Sequence, residues 1–440
     1  MAHNIRRYSK RRCCALVPLT CLIISAHGQD QWEDWGDEWD EPAAASEPRF
    51  PINGFVEATG SYRTRDSDVL AEEWVAQDLR GRIQTFYQGS GVMLSYKGEV
   101  FYDGVDHELH ASNREAFVGF TPHSAVDVRV GRQILTWGTG DLVFLNDFFP
   151  KNWVAFFSGF DQQYLKAPSD ALKVSGYSQW FNLDLVWSPE FDPDNFITGN
   201  KLVYFSPLAG EVVAAPPELQ AEGPGTNLQD GELALRLYKT IRGIELAAYA
   251  YHGYYKTPEG FDPQRGTLYF PELSSLGASI RGNALGGISN LEYAYWDSRE
   301  NSDGENPLLP NPESRFLVGY ERELVRNLTA SFQYYVEYTH DYDNLKARRP
   351  DPAQRPRKVR QLLTTRWTLS TQQSNLVYSA FVFYSPSDED YYLIPNILYR
   401  LGDQWQFNAG ANLLGGEHDY TQFGQLETNS NLYARAKFIF

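Results

Sequence analysis

The sequence predicts an all-β fold, a transmembrane antiparallel β-barrel, and three observations lead to that fold class. Apolar and polar residues alternate along many short segments, as they do in strands with one lipid-facing side. Aromatic residues make up 15% of the chain, and tyrosine is the most frequent of them. The connections between the segments alternate between tight turns and long loops. Together these features are typical of a barrel in a bacterial outer membrane.

The first 28 residues have the features of an export signal. Five basic residues precede a short apolar stretch at 15–26, and small residues stand where a signal peptidase would cleave. All three cysteines lie in this segment, so the mature chain has no thiol chemistry. Removal of the five basic residues changes the net charge from −17 to −22, which argues against nucleic acid as a partner. We therefore expect a protein that is exported to the bacterial outer membrane.

Residues 29–52 form an acidic, tryptophan-rich tail and a linker, which we expect in the periplasm. Helical spacing would place Trp32, Trp35 and Trp39 along one face. An acidic helix with an aromatic stripe fits a groove on a basic partner, so docking to a periplasmic or exporter partner is one prediction. Two alternatives stay open: the tail plugs the pore, or it is disordered and keeps the chain soluble before insertion.

Residues 53–440 are predicted to form the barrel itself. In the last ten residues one strand face carries Leu432, Ala434, Ala436, Phe438 and Phe440. A final strand that ends in phenylalanine resembles the assembly signal of bacterial outer-membrane barrels, so Phe438 and Phe440 are expected to bind the barrel assembly machinery. We predict 18 strands, beginning near residues 53, 74, 91, 107, 125, 171, 180, 231, 243, 272, 287, 314, 327, 358, 374, 389, 403 and 430.

The lengths of the connections predict how the barrel sits in the membrane. Tight turns follow the even strands, and most of the long loops follow the odd strands. Short periplasmic turns, long external loops and an even strand number would place both termini in the periplasm. Sixteen strands also fit, and either number leaves a lumen wide enough for water. The alternative is a soluble periplasmic β-sandwich or solenoid.

Two adjacent segments, REAFVGF at 114–120 and VDVRVGRQILTWGTGD at 126–141, support the same fold. They resemble a stretch found in porin-like families of proteobacterial outer-membrane proteins, many of them of unassigned function. The resemblance covers these segments and the barrel architecture. It implies the fold and says little about the solute.

The third external loop, predicted at 138–170, is unusually aromatic for an exposed segment. Its rings include Phe144, Phe148, Phe149, Trp153, Phe156 and Phe157. Such a loop would be stable if it folded inward and buried them. The third loop of general porins folds in and narrows the pore, so the resemblance implies a constriction here. The alternatives are a cap or a contact between subunits.

Alternation also predicts which charged residues face the lumen. The predicted pore-lining set is Arg80, Arg82, Lys97, Glu99 and Arg435 on the wall, with Asp141 and Asp147 on the third loop. Basic residues opposite acids would give a transverse field that selects polar or anionic solutes. Ordinary ion pairing inside the lumen is the alternative.

A basic segment, 346–360, belongs to another external loop. Its arginines suit the phosphates of lipopolysaccharide, which we expect as a partner together with the outer-membrane lipid. A charged, disordered loop is the alternative.

One short motif raises the question of enzyme activity. His110-Ala111-Ser112-Asn113 resembles the His-x-Ser-Asn motif of outer-membrane phospholipases, and its histidine and serine share a strand face. Arg114 stands where that family has glycine, and the chain is much longer than those enzymes. We therefore predict no enzyme, no cofactor and no metal site, with a lipid hydrolase as a remote alternative.

These observations predict an outer-membrane channel for small polar, anionic or amphipathic solutes. The competing prediction is an outer-membrane barrel that is docked through its acidic tail to a periplasmic or inner-membrane exporter.

Overall fold

The chain forms a closed barrel of 18 antiparallel strands in a computed structural model that describes residues 50–225 and 230–440. Each strand pairs with its neighbours in sequence, and the first pairs with the last, with Phe55 opposite Ile439. The prediction of 18 strands is confirmed, and the sandwich and solenoid alternatives are wrong. The predicted export signal and the tail with Trp32, Trp35 and Trp39 lie outside the described residues.

The strands of the barrel are numbered in chain order. They are β1 (Ile52–Arg63), β2 (Trp74–Gly89), β3 (Val92–Asp103), β4 (Glu108–His123), β5 (Val126–Ile134), β6 (Pro168–Tyr177), β7 (Asn182–Ser188), β8 (Glu232–Ile241), β9 (Ile244–Tyr254), β10 (Glu272–Ala284), β11 (Gly287–Ser298), β12 (Glu313–Val325), β13 (Leu328–Thr339), β14 (Val359–Thr371), β15 (Leu376–Ser385), β16 (Asp390–Leu401), β17 (Trp405–Gly416) and β18 (Asn431–Ile439). Their first residues agree with the predicted positions to within a few residues.

Short and long connections separate to opposite ends of the barrel. At the turn end the even strands are followed by tight turns, such as Ser90-Gly91, where both residues have positive φ angles of 49° and 78°. Two such residues form the hairpin turn whose twist matches that of the strands. At the loop end the long connections are 135–167, 189–231, 255–271, 299–312, 340–358 and 417–430. This arrangement is the predicted alternation.

The outward face of the barrel is apolar, with aromatic side chains toward both ends. Val56, Leu79, Val100, Leu276 and Val318 are exposed near the middle of their strands. Exposed aromatic residues include Tyr62, Trp74 and Tyr102 near the loop end, and Trp367, Tyr399 and Trp405 near the turn end. An apolar band between two aromatic girdles is what a barrel in a bilayer requires.

The loops contain little regular structure. Among the residues that the structure describes, the loops hold the short α-helices α1 (Trp153–Phe157) and α2 (Tyr342–Arg348) and the 3₁₀ turns Gln162–Leu165, Pro352–Gln354 and Gly424–Asn429. Short loop strands are Tyr204–Ser206, Glu211–Val213, Ala221–Glu222, Gly260–Asp262 and Thr267–Tyr269. Within the described ranges, none of the helices has the length and apolar character needed to cross a membrane.

Candidate functional site

The third loop, residues 135–167, lies inside the barrel. It ends three residues earlier than predicted because β6 begins at Pro168, which pairs with Ile134 of β5. Its first half packs on inward side chains of β8–β10, and a second apolar cluster joins it to the wall of β12–β17. Burial of each large apolar side chain contributes about 1.5–3 kcal/mol, so the aromatic content stabilises the inward position.

The predicted constriction aromatics all contact the barrel interior or one another. Phe148 stacks on Tyr251 with ring centroids 4.4 Å apart, and Phe149 meets Trp137 edge to face. Two further rings, Phe156 and Phe157, lie 5.5 and 5.4 Å from the ring of Tyr392. Phe144 and Trp153 contact each other at 6.1 Å. Three of the six, Phe144, Trp153 and Phe156, remain half-buried.

A buried carboxylate on β11 holds the first half of the loop. Glu292 is 4% exposed and accepts hydrogen bonds from the backbone N–H groups of Thr139 (2.7 Å) and Asn146 (3.2 Å). It also accepts from the side chains of the same two residues, at 2.8 and 2.9 Å. Gly277, on neighbouring β10, lets the loop come this close, because a Cβ there would overlap the side-chain oxygen of Asn146.

The two acidic residues predicted on the loop have local partners. Both carboxylate oxygens of Asp141 accept from Arg366 on β14, at 2.7 and 2.8 Å, and its backbone exchanges hydrogen bonds with Gln333 on β13. Asp147 pairs within the loop with Lys151 (3.0 Å) and accepts from the Thr136 hydroxyl. Neither carboxylate faces the predicted basic wall.

The predicted basic wall lies beneath the second half of the loop. Arg80, Arg82 and Glu99 are only 8%, 5% and 3% exposed. Glu99 accepts from both arginines, at 2.8 and 2.6 Å, and from the Tyr164 hydroxyl of the loop at 2.9 Å. The loop and their own ion pairs cover these three side chains in the structure, and a role for them in lining the pore stays a prediction.

The remaining two predicted wall residues are also paired. Lys97 lies 3.1 Å from Glu115, and Arg435 lies 3.2 Å from Asp161 of the loop. Lys437 completes this second group, 3.0 Å from both Asp161 and Glu57. Burial opposes ionisation of Asp161, but Lys437 and Arg435 hold the pKa of this carboxyl well below its usual range. The predicted charges thus form compensated groups that attach the loop.

Above the third loop, toward the loop end, a cavity of about 540 Å³ remains, which we call the vestibule. Its floor is the segment 142–157 of the third loop. Its sides are loop-end residues of β9–β15 and parts of the loops 189–231, 255–271, 299–312, 340–358 and 417–430. The half-buried rings Phe144, Trp153, Phe156 and Trp296 line it.

One wall of the vestibule carries a charged group that sequence reasoning missed. Arg315 lies between Glu313 (2.6 Å) and Glu337 (3.7 Å), with its guanidinium carbon 3.5 Å from the Trp296 ring centroid. The Tyr335 hydroxyl donates to Glu337 at 2.7 Å. The sequence does place charged residues at inward positions near the loop end of the adjacent strands β12 and β13. The alternation of side chains does not show that these residues contact one another.

The basic segment 346–360 contacts the protein at several points. Arg357 and Arg360 lie 3.4 and 2.8 Å from Asp388, and Arg348 lies 3.6 Å from Glu305. Three of its residues, Arg349, Pro356 and Arg360, also line the vestibule. Binding of lipopolysaccharide by this segment stays a prediction.

The remaining sequence motifs can also be placed. His110 stacks on Phe101 at 5.0 Å and lies 3.9 Å from Glu108; within the described ranges it makes no hydrogen bond to Ser112. At the other end of the chain, Phe440 exchanges backbone hydrogen bonds with Gly54, and the residue is 44% exposed. Phe438 packs on Trp405 with ring centroids 5.1 Å apart. Recognition of Phe438 and Phe440 by assembly machinery stays a prediction.

Known proteins resemble this chain in structure rather than in sequence. No protein-family model and no curated protein sequence matches it. OccAB3 of Acinetobacter baumannii superposes with a TM-score of 0.51 at 10% identity, over 88% of this chain and 98% of that chain. OccK9 (OpdG) of Pseudomonas aeruginosa gives 0.51 at 8% identity, over 88% and 97%. OccK5 (OpdH) of the same organism gives 0.50 at 10% identity, also over 88% and 97%. The fold is therefore that of porin-like outer-membrane barrels.

Proposed function

We propose that this protein is a channel of the bacterial outer membrane for small polar or amphipathic solutes, with the third loop narrowing its lumen. The observation that carries the proposal is the attachment of this loop to opposite walls of the lumen. Glu292 holds one half, and the groups around Glu99 and Lys437 hold the other. An 18-strand barrel has more interior space than its own side chains fill, and a docked loop reduces that space.

Several features support an outer-membrane location for the channel. The outward band is apolar and has aromatic residues at both ends, as expected for contact with a bilayer. The fold is shared with porin-like barrels, and the sequence begins with the features of an export signal. The compensated charges around Arg82 and Arg435 give no support to the expected selection of anions by a basic wall.

Single-channel conductance in a planar bilayer tests this proposal. We expect steady conductance from the refolded protein and a several-fold larger conductance when a short Gly-Ser linker replaces residues 140–163. Shortening the exposed hairpin tip at 207–210 is the matched control and should leave conductance unchanged. Silence of both the intact and the loop-shortened barrel would refute the channel. Equal conductance of the two would refute the constriction.

A further inference from the structure

The vestibule has the chemistry of a binding site, and we propose that it binds a cationic amphipathic solute. Such a solute has an ammonium or similar cationic group attached to an apolar or aromatic body. This inference rests on the proposed channel function, because it names the class of solute that would enter. It differs from the anionic preference that the sequence indicated.

The apolar part of the solute would meet aromatic side chains. Phe144 and Phe156 stand on the floor of the vestibule, with Trp153 between them and Trp296 on the wall. All four are half-buried, so each keeps part of its surface accessible from the cavity. Aromatic rings bind apolar groups by burial and attract cations through their electron-rich faces. A volume of about 540 Å³ can hold a small organic molecule.

The charge of the vestibule favours a cation. Five cationic side chains line it, and four of them have a carboxylate oxygen within 3.0 Å. These pairs are Lys151–Asp147 (3.0 Å), Lys256–Glu232 (2.6 Å), Arg315–Glu313 (2.6 Å) and Arg360–Asp388 (2.8 Å). Outside the four pairs stand the carboxylates of Asp194, Glu259 and Glu337, against one further cation, Arg349. The lining itself holds five carboxylates, those of Asp147, Asp194, Glu259, Glu313 and Glu337, which balance its five cations. Glu232 and Asp388 contact Lys256 and Arg360 from outside the lining, so carboxylates outnumber cations by seven to five when these partners are included.

The three remaining carboxylates differ in how they could meet a ligand. Both oxygens of Asp194 accept hydrogen bonds, from the backbone of Lys151 and the indole of Trp153, each at 2.7 Å. Glu337 accepts from the Tyr335 hydroxyl and shares Arg315 with Glu313. Glu259 is exposed and accepts from the Thr257 hydroxyl at 2.7 Å. Glu337 and Glu259 are therefore the carboxylates that we assign to the cationic group.

An anion would find less favourable chemistry in the same place. It would have to displace the carboxylates that already contact Lys256, Arg315 and Arg360. It would also approach the additional negative charge of Glu259 and Glu337. Desolvated like charges repel strongly in a partly buried cavity.

Calorimetric titration of the full-length protein in a neutral detergent tests the site without requiring conductance. The probes are benzyltrimethylammonium and benzenesulfonate, which carry the same ring and opposite charges. We expect the ammonium probe to bind and the sulfonate not to bind at the same concentration. Glu337→Gln and Glu259→Gln should each weaken the ammonium probe about tenfold, because each removes one negative charge near the cation.

Glu211→Gln is the matched control, because Glu211 is exposed on a separate loop hairpin, and its affinity should equal that of the wild type. Glu259→Gln lies in an exposed loop, so it keeps the test valid if Glu337→Gln does not fold. Equal binding of the two probes, or unchanged affinity in both vestibule variants, would overturn the proposal. Binding of the ammonium probe, together with silence of both the intact and the loop-shortened barrel in the bilayer, would refute the channel and leave the site standing. Conductance by a protein that does not bind the ammonium probe would refute the site and leave the channel standing.

Discussion

Asp161 shows how one side chain can hold a loop inside a barrel. Its carboxylate contacts Lys437 at 3.0 Å and Arg435 at 3.2 Å. These two cations come from the last strand of the barrel, and Lys437 is also paired with Glu57 of the first. A carboxylate so placed stays ionised under acidic conditions that protonate an ordinary aspartate. The contact is therefore expected to be insensitive to moderate changes of pH.

Loop docking should persist as the pH falls from 7 to 4. The pKa of Asp161 is lower in the folded protein than its ordinary value of 3.8. The contribution of this group to stability is therefore present above pH 3.8 and is lost as the pH falls through the lower, folded value. The measurement is single-channel conductance recorded at each pH, because proteolysis after transfer to neutral buffer would not report the position of the loop at the acidic pH. We expect no step between pH 7 and pH 4.

Asp161→Asn gives the matching variant for that experiment. It removes the charge and leaves Arg435 and Lys437 partly buried without it, so the loop should undock and conductance should rise at neutral pH. Asp303→Asn, in an exposed loop, is the control with the same chemical change. A pH-dependent step above pH 4 in the wild type, or unchanged conductance in Asp161→Asn, would contradict this role.

At the scale of elements, the sequence predicted the strands better than the contacts of the loop. Alternation placed Arg82 and Glu99 on the inward face because successive side chains of a strand point to opposite sides. It could not show that Tyr164 would cover them, because a loop has no period that relates it to a distant wall. A register shift between Lys97 and Gly98 brings Arg114 inward beside Glu115. A strict period of two does not predict such a bulge.

The close approach of loop and strand at Gly277 can be tested directly. A Cβ at this position would overlap the Asn146 side chain and lie 2.7 Å from the carbonyl oxygen of Tyr293. Overpacking of this kind costs about 1–3 kcal/mol, so Gly277→Ala should loosen the first half of the loop. The measurement is the rate of chymotrypsin cleavage within 135–167, which should increase several-fold.

Gly81→Ala is the control for this substitution. Gly81 also lies in a barrel strand, but its added Cβ would meet only the Val100 carbonyl oxygen, at 4.0 Å. We expect its cleavage rate to match that of the wild type. Equal rates of chymotrypsin cleavage in the wild type, Gly277→Ala and Gly81→Ala would show that loop docking does not depend on the space at Gly277.

At the scale of the whole molecule, the barrel accounts for the apolar outer face, and the roles of the acidic tail stay predictions. We predict that deletion of residues 29–48 leaves barrel assembly and conductance unchanged, because the first strand begins only at Ile52. Heat-modifiable electrophoretic mobility would report assembly, and a planar bilayer would report conductance. Failure to insert would favour the solubility role, and a closed barrel that opens on deletion would identify a plug.

The third loop depends on strands from both ends of the chain, and this constrains the order in which the protein can fold. Its contacts to Glu99 involve an early strand, whereas those to Lys437 and Arg435 involve the last one made. The second half of the loop can reach its final position only after the carboxyl-terminal strand has joined the first. Contacts between residues far apart in sequence form slowly. Protection of Phe157 and Tyr164 from protease should therefore appear after barrel closure, and its time course would date that closure.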